Sequence, residues 1–197
     1  MHQGTLPSEF RNRPWFTYAD AQVAGLSRRE LSRLKDRGEI KQIARGFYQA
    51  DGASESDMSL VVAAALRPDA TLCLQSALAR HGLSDDIPRT SDLALPRGRR
   101  HPRIEGSIVW HTFEAETFEI GREVIEVGEG ISLGMYSPER CVVDAFRLRG
   151  REGYESANDA LKSWLRRPDS QPSTLLQMAQ HFSRVSNPLR QALEILS

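Results

Sequence analysis

Several residue types are scarce in this sequence, and each shortage excludes a class of protein. Only 2 of its 197 residues are cysteine, so neither a disulfide framework nor a cysteine-rich zinc site can hold the fold together. Cys73 and Cys141 lie in apolar stretches, which predicts buried thiols. No apolar run approaches the roughly eighteen residues of a membrane-spanning helix, and the first residues lack the apolar core of a signal peptide. We therefore expect a cytoplasmic protein that does not contact a membrane.

A net charge is also absent, because 26 lysines and arginines balance 26 aspartates and glutamates. The charges are nevertheless segregated along the chain. Residues 1–50 hold nine Lys or Arg against five Asp or Glu, whereas residues 105–139 hold one Arg against eight Glu. A basic head and an acidic middle therefore cancel in the total, and nucleic-acid binding is expected of the head alone.

Two helix-start signals and a basic hairpin follow one another in the basic head. Thr17-Tyr-Ala-Asp20 and Ser27-Arg-Arg-Glu30 both have the pattern of a capping box, in which two side chains satisfy free N–H groups of a helix's first turn. Gly38 ends the second helix, and residues 40–48 have the pattern of two short strands around an Arg-Gly turn. This order predicts a winged helix-turn-helix over residues 1–52.

Apolar positions give the expected core of this unit. Ala19, Val23 and Leu26 are predicted to form the inner face of the first helix, and Leu31 and Leu34 that of the second. A short leading helix over residues 8–13 is expected to pack the neighbouring aromatic side chains beneath both helices.

The basic side chains of the second helix and the hairpin are the candidate DNA-binding residues. Recognition helices present their N-terminal residues to base edges, and the arginine fork can bond two acceptors of guanine together. The base contacts are assigned to Arg28, Arg29, Ser32 and Arg33. The phosphate contacts are assigned to Lys35, Arg37, Lys41 and Arg45, of which the last could instead enter a minor groove. A solvated basic face and a protein-interaction module remain alternatives.

Residues 53–197 are predicted to form a second domain of helices around a small, mostly antiparallel sheet, so the whole chain is α+β. The predicted helices span residues 56–66, 71–81, 137–148, 154–165, 173–182 and 188–196. The predicted strands span residues 93–95, 107–112, 123–127 and 131–136. Within the third helix, Arg140 and Asp144 have the i, i+4 spacing of an ion pair.

A second basic cluster lies on a turn between two of these strands. It is a candidate phosphate or partner contact, with a solvated loop as the equal alternative, and consists of Arg97, Arg99, Arg100 and Arg103. No phosphate-binding glycine loop is present, and no histidine has ligand partners at metal spacing. Four nearby glutamates are better explained as an acidic surface than as a cation site: Glu114, Glu116, Glu119 and Glu123. We therefore predict no catalytic residue, metal or cofactor.

Motifs along nearly the whole chain resemble one family. Leu26-Ser-Arg-Arg-Glu-Leu-Ser-Arg-Leu34 and Ile43-Ala-Arg-Gly-Phe-Tyr48 resemble the N-terminal winged helix of AbiEi-type antitoxins. Four further motifs resemble the C-terminal domain of these antitoxins in order and approximate spacing. They are Gln75-Ser-Ala-Leu-Ala-Arg-His-Gly-Leu83, Asp86-Ile-Pro88, Leu93-Ala-Leu-Pro-Arg-Gly98 and Tyr136-Ser-Pro-Glu-Arg-Cys-Val-Val-Asp144.

This resemblance implies an antitoxin of a type IV toxin–antitoxin, or abortive infection, system that serves phage defence. Such a protein represses its own operon by binding inverted repeats in double-stranded DNA and counters a nucleotidyltransferase-like toxin. Arg28, Arg29, Ser32 and Arg33 would contact the operator. Two protomers would occupy the repeats, whether the protein is a monomer or a dimer in solution. The alternatives are an interaction module that neutralises a toxin without specific DNA binding, and an enzyme that modifies its partner.

Overall fold

The chain folds into two compact units in a computed structural model. The structure describes residues 5–11, 13, 15–51, 58–104, 107–128 and 130–196, with the backbone alone at 151–152. One unit lies within residues 1–67 and 102–107, and the other within residues 68–101 and 108–197. Both combine helices with a sheet, so the predicted α+β class is confirmed. The domain boundary predicted between residues 52 and 53 lies outside the described residues.

The first unit places its helices beside a three-stranded antiparallel sheet of order β1-β3-β2. Its elements are α1 (Ser8–Arg11), β1 (Phe16–Thr17), α2 (Tyr18–Val23), α3 (Arg28–Asp36), β2 (Ile40–Ala44), β3 (Phe47–Ala50) and α4 (Met58–Leu66). The strands β2 and β3 form the predicted hairpin, and Gly46 in its turn has a φ of +82°. Strand β1 is a third member of the sheet that sequence patterning did not predict.

Both predicted capping boxes are formed. The backbone N–H of Thr17 donates to Asp20 (2.7 Å), and the N–H of Asp20 donates to the Thr17 hydroxyl (3.1 Å). The corresponding distances between Ser27 and Glu30 are 2.8 and 3.3 Å. After α3, Gly38 takes a φ of +73° and stops the helix, as predicted. The start of α2 and the start of α3 are therefore set by side-chain caps, and the end of α3 is set by the backbone conformation of a glycine.

The inner face predicted for α2 is wrong in two positions. Ala21 is buried, whereas Ala19 is exposed and Val23 is 93% exposed. Because α2 has only six residues, one inward position sets its orientation, and positions two residues away point to the other side. The leading segment packs as expected: Phe10 stacks on Phe16, with ring centroids 4.4 Å apart, and both are buried.

The second unit is built on a five-stranded sheet of order β6-β5-β4-β8-β7, flanked by helices. Its strands are β4 (Thr71–Leu72), β5 (Ser91–Pro96), β6 (Ile108–Phe113), β7 (Arg122–Gly128) and β8 (Ile131–Tyr136). Its helices are α5 (Leu74–Arg80), α6 (Ala115–Phe118), α7 (Pro138–Glu152), α8 (Tyr154–Leu165), α9 (Pro172–Gln180) and α10 (Ser186–Leu196). Among the described residues, no helix is long and apolar enough to span a bilayer.

The sheet is mixed, so the prediction of a mostly antiparallel sheet is wrong. Strands β5 and β6 run parallel, as do β4 and β8, whereas β4–β5 and β7–β8 are antiparallel. A short hairpin turn between the two strands would make β6 antiparallel to β5. The connection over residues 97–107 is instead long enough to bring the chain back to the end where β5 starts.

The helix predicted over residues 71–81 is also wrong at its start. Thr71 and Leu72 form β4, which pairs with β5 on one side and β8 on the other. Leu74 then turns the chain into α5 with a φ of +47°, a backbone region that is unfavourable for a leucine. The local sequence has the apolar pattern of a helix, but two neighbouring strands supply the hydrogen bonds. Cys73 and Cys141 are free and buried, as predicted.

Candidate nucleic-acid interface

Helix α3 separates an apolar side from a polar side. Leu31 and Leu34 are 2% and 0% exposed and pack into the core of the first unit. Five predicted DNA-binding residues are exposed on the remaining surface of the helix: Arg28, Arg29, Ser32, Arg33 and Lys35. Successive residues of an α-helix are rotated by roughly 100°, so these side chains cover a little less than half of its circumference. The helix can therefore present cations to a partner without losing its core contacts.

A groove of about 480 Å³ runs between α3 and the β2–β3 hairpin. It brings together four of the predicted residues: Arg28, Ser32, Lys35 and Arg45. The other lining residues are Tyr18, Leu31, Gln42, Gly46 and Tyr48. The remaining predicted residues Arg29, Arg33 and Lys41 are exposed but do not line the groove. The predicted set therefore occupies two distinct surfaces.

Tyr18 is a groove residue that the sequence patterns did not single out. The guanidinium of Arg28 lies over its ring, 5.0 Å from the centroid, within the range of a cation–π contact. The backbone N–H of Tyr18 donates to the carbonyl of Gly46 (2.8 Å) in the hairpin turn. Tyr18 thus contacts both walls of the groove. The sequence feature that could have indicated its role is the position of this aromatic residue directly after the N-cap of α2.

In the part of the first unit that the structure describes, no carboxylate neutralises the cations of the groove. Among the residues that the structure describes, neither Lys35 nor Arg45 forms an ion pair. Arg37, which was also expected to contact phosphate, instead pairs with Glu39 at 2.6 Å. The groove therefore holds positive charge that a bound anion would neutralise.

The second basic cluster is largely engaged by acidic side chains. Arg97 forms a two-point contact with Glu114, with distances of 3.0 and 2.6 Å, and this contact holds the pKa of Glu114 below its usual range. Arg99 pairs with Asp69 at 3.2 Å. Arg100 and Arg103 are exposed, and Arg103 belongs to the first unit whereas the other three belong to the second. A joint phosphate or partner contact by this cluster stays a prediction.

One constellation in the second unit contains the residue types of a hydrolase. The Ser76 hydroxyl donates to Asp92 (3.1 Å), and Nε2 of His111 lies 2.9 Å from the other carboxylate oxygen of Asp92. The carboxylate therefore stands between the hydroxyl and the imidazole, whereas a catalytic triad needs the imidazole in the middle. Within the described part of the chain, no group of three or more metal-ligating side chains is assembled.

Comparison with known proteins finds a likeness in the N-terminal part of the chain. Residues 5–50 match a family model described as "Transcriptional regulator, AbiEi antitoxin". The predicted resemblance to AbiEi-type antitoxins is confirmed over these residues, and the resemblance of the C-terminal motifs stays a prediction. The matched segment contains all eight residues predicted to contact DNA, from Arg28 to Arg45. No curated protein matches the chain.

A solved structure extends the likeness beyond the matched segment. The crystal structure of the RV2827C protein from Mycobacterium tuberculosis aligns with a TM-score of 0.64 and 17% sequence identity. The alignment covers 91% of this chain and 72% of that chain. At this identity the likeness shows a shared fold and nothing about activity.

Proposed function

We propose that residues 5–50 form a winged helix-turn-helix that binds duplex DNA, and that the protein is an antitoxin and transcriptional autorepressor. In this proposal it binds inverted repeats in the promoter of its own operon, with one protomer on each repeat. The observation that carries the proposal is the exposed basic surface of α3 beside the groove cations, within a segment that matches antitoxin regulators. In this proposal the protein works in the cytoplasm, where it meets its operon.

Local rather than total charge supports this proposal. DNA carries a dense row of phosphates, and its binding is driven by cations that displace condensed counterions. The formal net charge of the chain is zero, so the whole molecule has no general attraction to a polyanion. The cations of α3 and Arg45 are exposed together and supply that attraction at one place. Binding should therefore be sensitive to substitution of the cations in α3 and the hairpin, and insensitive to charge removed from the second unit.

The test is a binding titration of the whole chain by fluorescence anisotropy. One labelled duplex carries the protein's own promoter, and a second carries the same bases in scrambled order. We expect promoter binding that weakens steeply with salt and that falls at least tenfold in the double variant Arg33→Ala/Lys35→Ala. The matched control is Arg190→Ala, which removes an exposed charge from α10 in the second unit and should bind like the wild type. Binding without salt dependence, or no binding, would contradict the proposal.

In the proposed antitoxin role, the protein counters a nucleotidyltransferase-like toxin. It does so either by binding the toxin directly or by opposing the toxin's effect without contact. One observation favours direct contact as a second function of the chain: four glutamates of the acidic middle are exposed on the second unit, namely Glu116, Glu119, Glu123 and Glu126. This surface suits a partner with a basic face, which is the interaction-module alternative. Co-expression with the product of the adjacent gene tests it. If a variant that no longer binds DNA still restores the growth of cells that express the toxin, neutralisation of the toxin does not depend on repression of the operon.

In this proposal the chain is a binding protein and not an enzyme. Intact-mass measurement of the co-expressed partner tests the remaining alternative, in which the chain modifies that partner covalently. We expect an unchanged partner mass, and a mass increase that depends on this protein would contradict the expectation.

A further inference from the structure

We infer that α3 divides its DNA contacts between two faces: Arg28, Lys35 and Arg45 grip a backbone phosphate, whereas Arg29 and Arg33 contact base edges. The inference rests on the proposed DNA binding and assigns a separate role to each face. It replaces the expectation that Arg28 and Ser32 contact bases. It also makes Tyr18 a positioning residue, because that ring holds the Arg28 guanidinium at the groove.

The geometry of α3 separates the two faces. Residues four and seven positions apart fall on one stripe of an α-helix, so Arg28 and Lys35 share the stripe that lines the groove. Arg29 and Arg33 occupy the next stripe, which lies opposite the buried Leu31 and Leu34. The stripe opposite the core protrudes furthest and is the one that can enter a major groove. The stripe that faces the hairpin meets the edge of that groove, where the phosphates lie.

The contact with Tyr18 withdraws Arg28 from the protruding stripe. Its guanidinium lies 5.0 Å from the ring centroid of Tyr18, at the side of α3 that faces α2 and the hairpin turn. The backbone bond from Tyr18 to Gly46 ties the same residue to the turn that carries Arg45. Arg28 is therefore held towards the opposite wall of the groove. A guanidinium fixed in this position is pre-organised for a phosphate, which it can bond through two N–H groups.

The electrostatics of the groove suit a phosphodiester. In the described part of the chain, Lys35 and Arg45 face the groove without a carboxylate partner, and Arg28 is held by a ring rather than by an anion. Ser32 and Gln42 add hydrogen-bond donors to the same lining. Three cations and two neutral donors match a singly charged phosphate with several acceptor oxygens.

The experiment measures the affinity for the promoter duplex and for the scrambled duplex at several salt concentrations. Arg28→Ala and Lys35→Ala should weaken binding to both duplexes by the same factor and should each lower the salt slope by about 1. Arg29→Ala and Arg33→Ala should weaken promoter binding selectively and cut the ratio of the two affinities about fivefold or more. Arg190→Ala is the control for the loss of one positive charge.

The positioning role of Tyr18 is tested by a double-mutant cycle. Tyr18→Leu should weaken binding to both duplexes, and Tyr18→Phe should restore most of that loss because the ring remains. In the Arg28→Ala background, Tyr18→Leu should cause no further loss, because the side chain that it positions is gone. A merely structural role for Tyr18 would give the same loss in both backgrounds. Circular dichroism of each variant checks that the chain is folded.

The outcomes separate this inference from the function on which it rests. If the wild type binds neither duplex, the proposed function fails and the inference fails with it. If the wild type binds the promoter, the inference is overturned when Arg28→Ala abolishes the promoter preference and leaves the salt slope unchanged. A Tyr18→Leu loss that persists in the Arg28→Ala background also overturns it. Equal losses on both duplexes, together with the coupling of Tyr18 to Arg28, support it.

Discussion

Arg140 donates from Nε to Oδ2 of Asp144 across one turn of α7, at 2.9 Å, and both side chains are closed off from solvent. The predicted i, i+4 ion pair is thus formed, and it is buried in the interior of the second unit rather than exposed on the helix surface. Arg140 also donates to the carbonyls of Thr117 and Ile120, and Arg147 lies 3.0 Å from the other oxygen of Asp144. Loss of one partner of a buried ion pair strongly destabilises a protein, because the charge of the other partner stays buried without compensation.

Removal of the carboxylate should therefore destabilise the second unit strongly. We expect Asp144→Ala to lower the free energy of unfolding by about 3–5 kcal/mol, because it leaves the Arg140 guanidinium without its anion. Urea denaturation followed by circular dichroism measures the change. The matched control is Asp159→Ala, which breaks an exposed pair with Lys162 of equal length, 2.9 Å, and should cost less than about 1 kcal/mol. Similar losses in the two variants would contradict this account of the buried pair.

Gly121 lies against the same arginine and has no room for a side chain. A Cβ at this position would approach Cβ of Arg140 to 2.8 Å and Cε of Met178 to 3.0 Å, at a φ of +69°. Gly130 has the same φ of +69° and nothing within 4 Å. We expect Gly130→Ala to cost about 1–2 kcal/mol from backbone strain alone, and Gly121→Ala to cost roughly 1–3 kcal/mol more from crowding. Thermal and urea unfolding of both variants measures the two losses in the free energy of unfolding, and their difference is the cost of crowding at Gly121. Equal losses would rule out such crowding.

The N-cap of α3 should contribute measurably to the stability of the first unit. Ser27→Ala removes the hydroxyl that accepts from the N–H of Glu30, and we expect a loss of about 1 kcal/mol in the free energy of unfolding. Ser107→Ala, at an exposed position outside the helices and strands, serves as the comparison and should change stability by less than about 0.5 kcal/mol. A Ser27→Ala chain as stable as the wild type would mean that the cap is not needed.

The other capping box should make stability depend on acid. Hydrogen bonds from the hydroxyl and then from the backbone N–H of Thr17 lower the pKa of Asp20. A carboxyl with a lowered folded pKa stabilises the protein fully above its unfolded value of about 3.9, and the contribution is lost as pH falls through the folded value. The advantage of the wild type over Asp20→Ala should thus shrink below about pH 4. Urea titrations across that range measure it, and an advantage that grows towards acid would refute the assignment.

Local hydrogen bonding explains which parts of the fold could be predicted. The strand Ile131–Tyr136 and the helix Tyr154–Leu165 match their predicted bounds to the residue, and the start of α3 at Arg28 follows from Ser27. Capping boxes, a C-terminal glycine and a hairpin turn act over a few residues, so the sequence displays them directly. The family resemblance confirmed over residues 5–50 rests on the same kind of local pattern.

Pairing between distant segments explains what could not be predicted. Thr71 and Leu72 become a strand because β5 and β8 lie on both sides, and β5 and β6 run parallel because of the connection between them. In the same way, the basic residues of α3 were visible in the sequence as one set. The ring of Tyr18 and the hairpin turn, which belong to other elements, divide that set into two faces.

The sequence by itself therefore determined the capped helices, the basic hairpin and the identity of the cations, because each depends on neighbours in the chain. Only the tertiary structure decided the mixed sheet, the burial of Arg140 and Asp144, and which cations of α3 face the groove. Those features depend on contacts between segments far apart in sequence, whose partners no local pattern specifies.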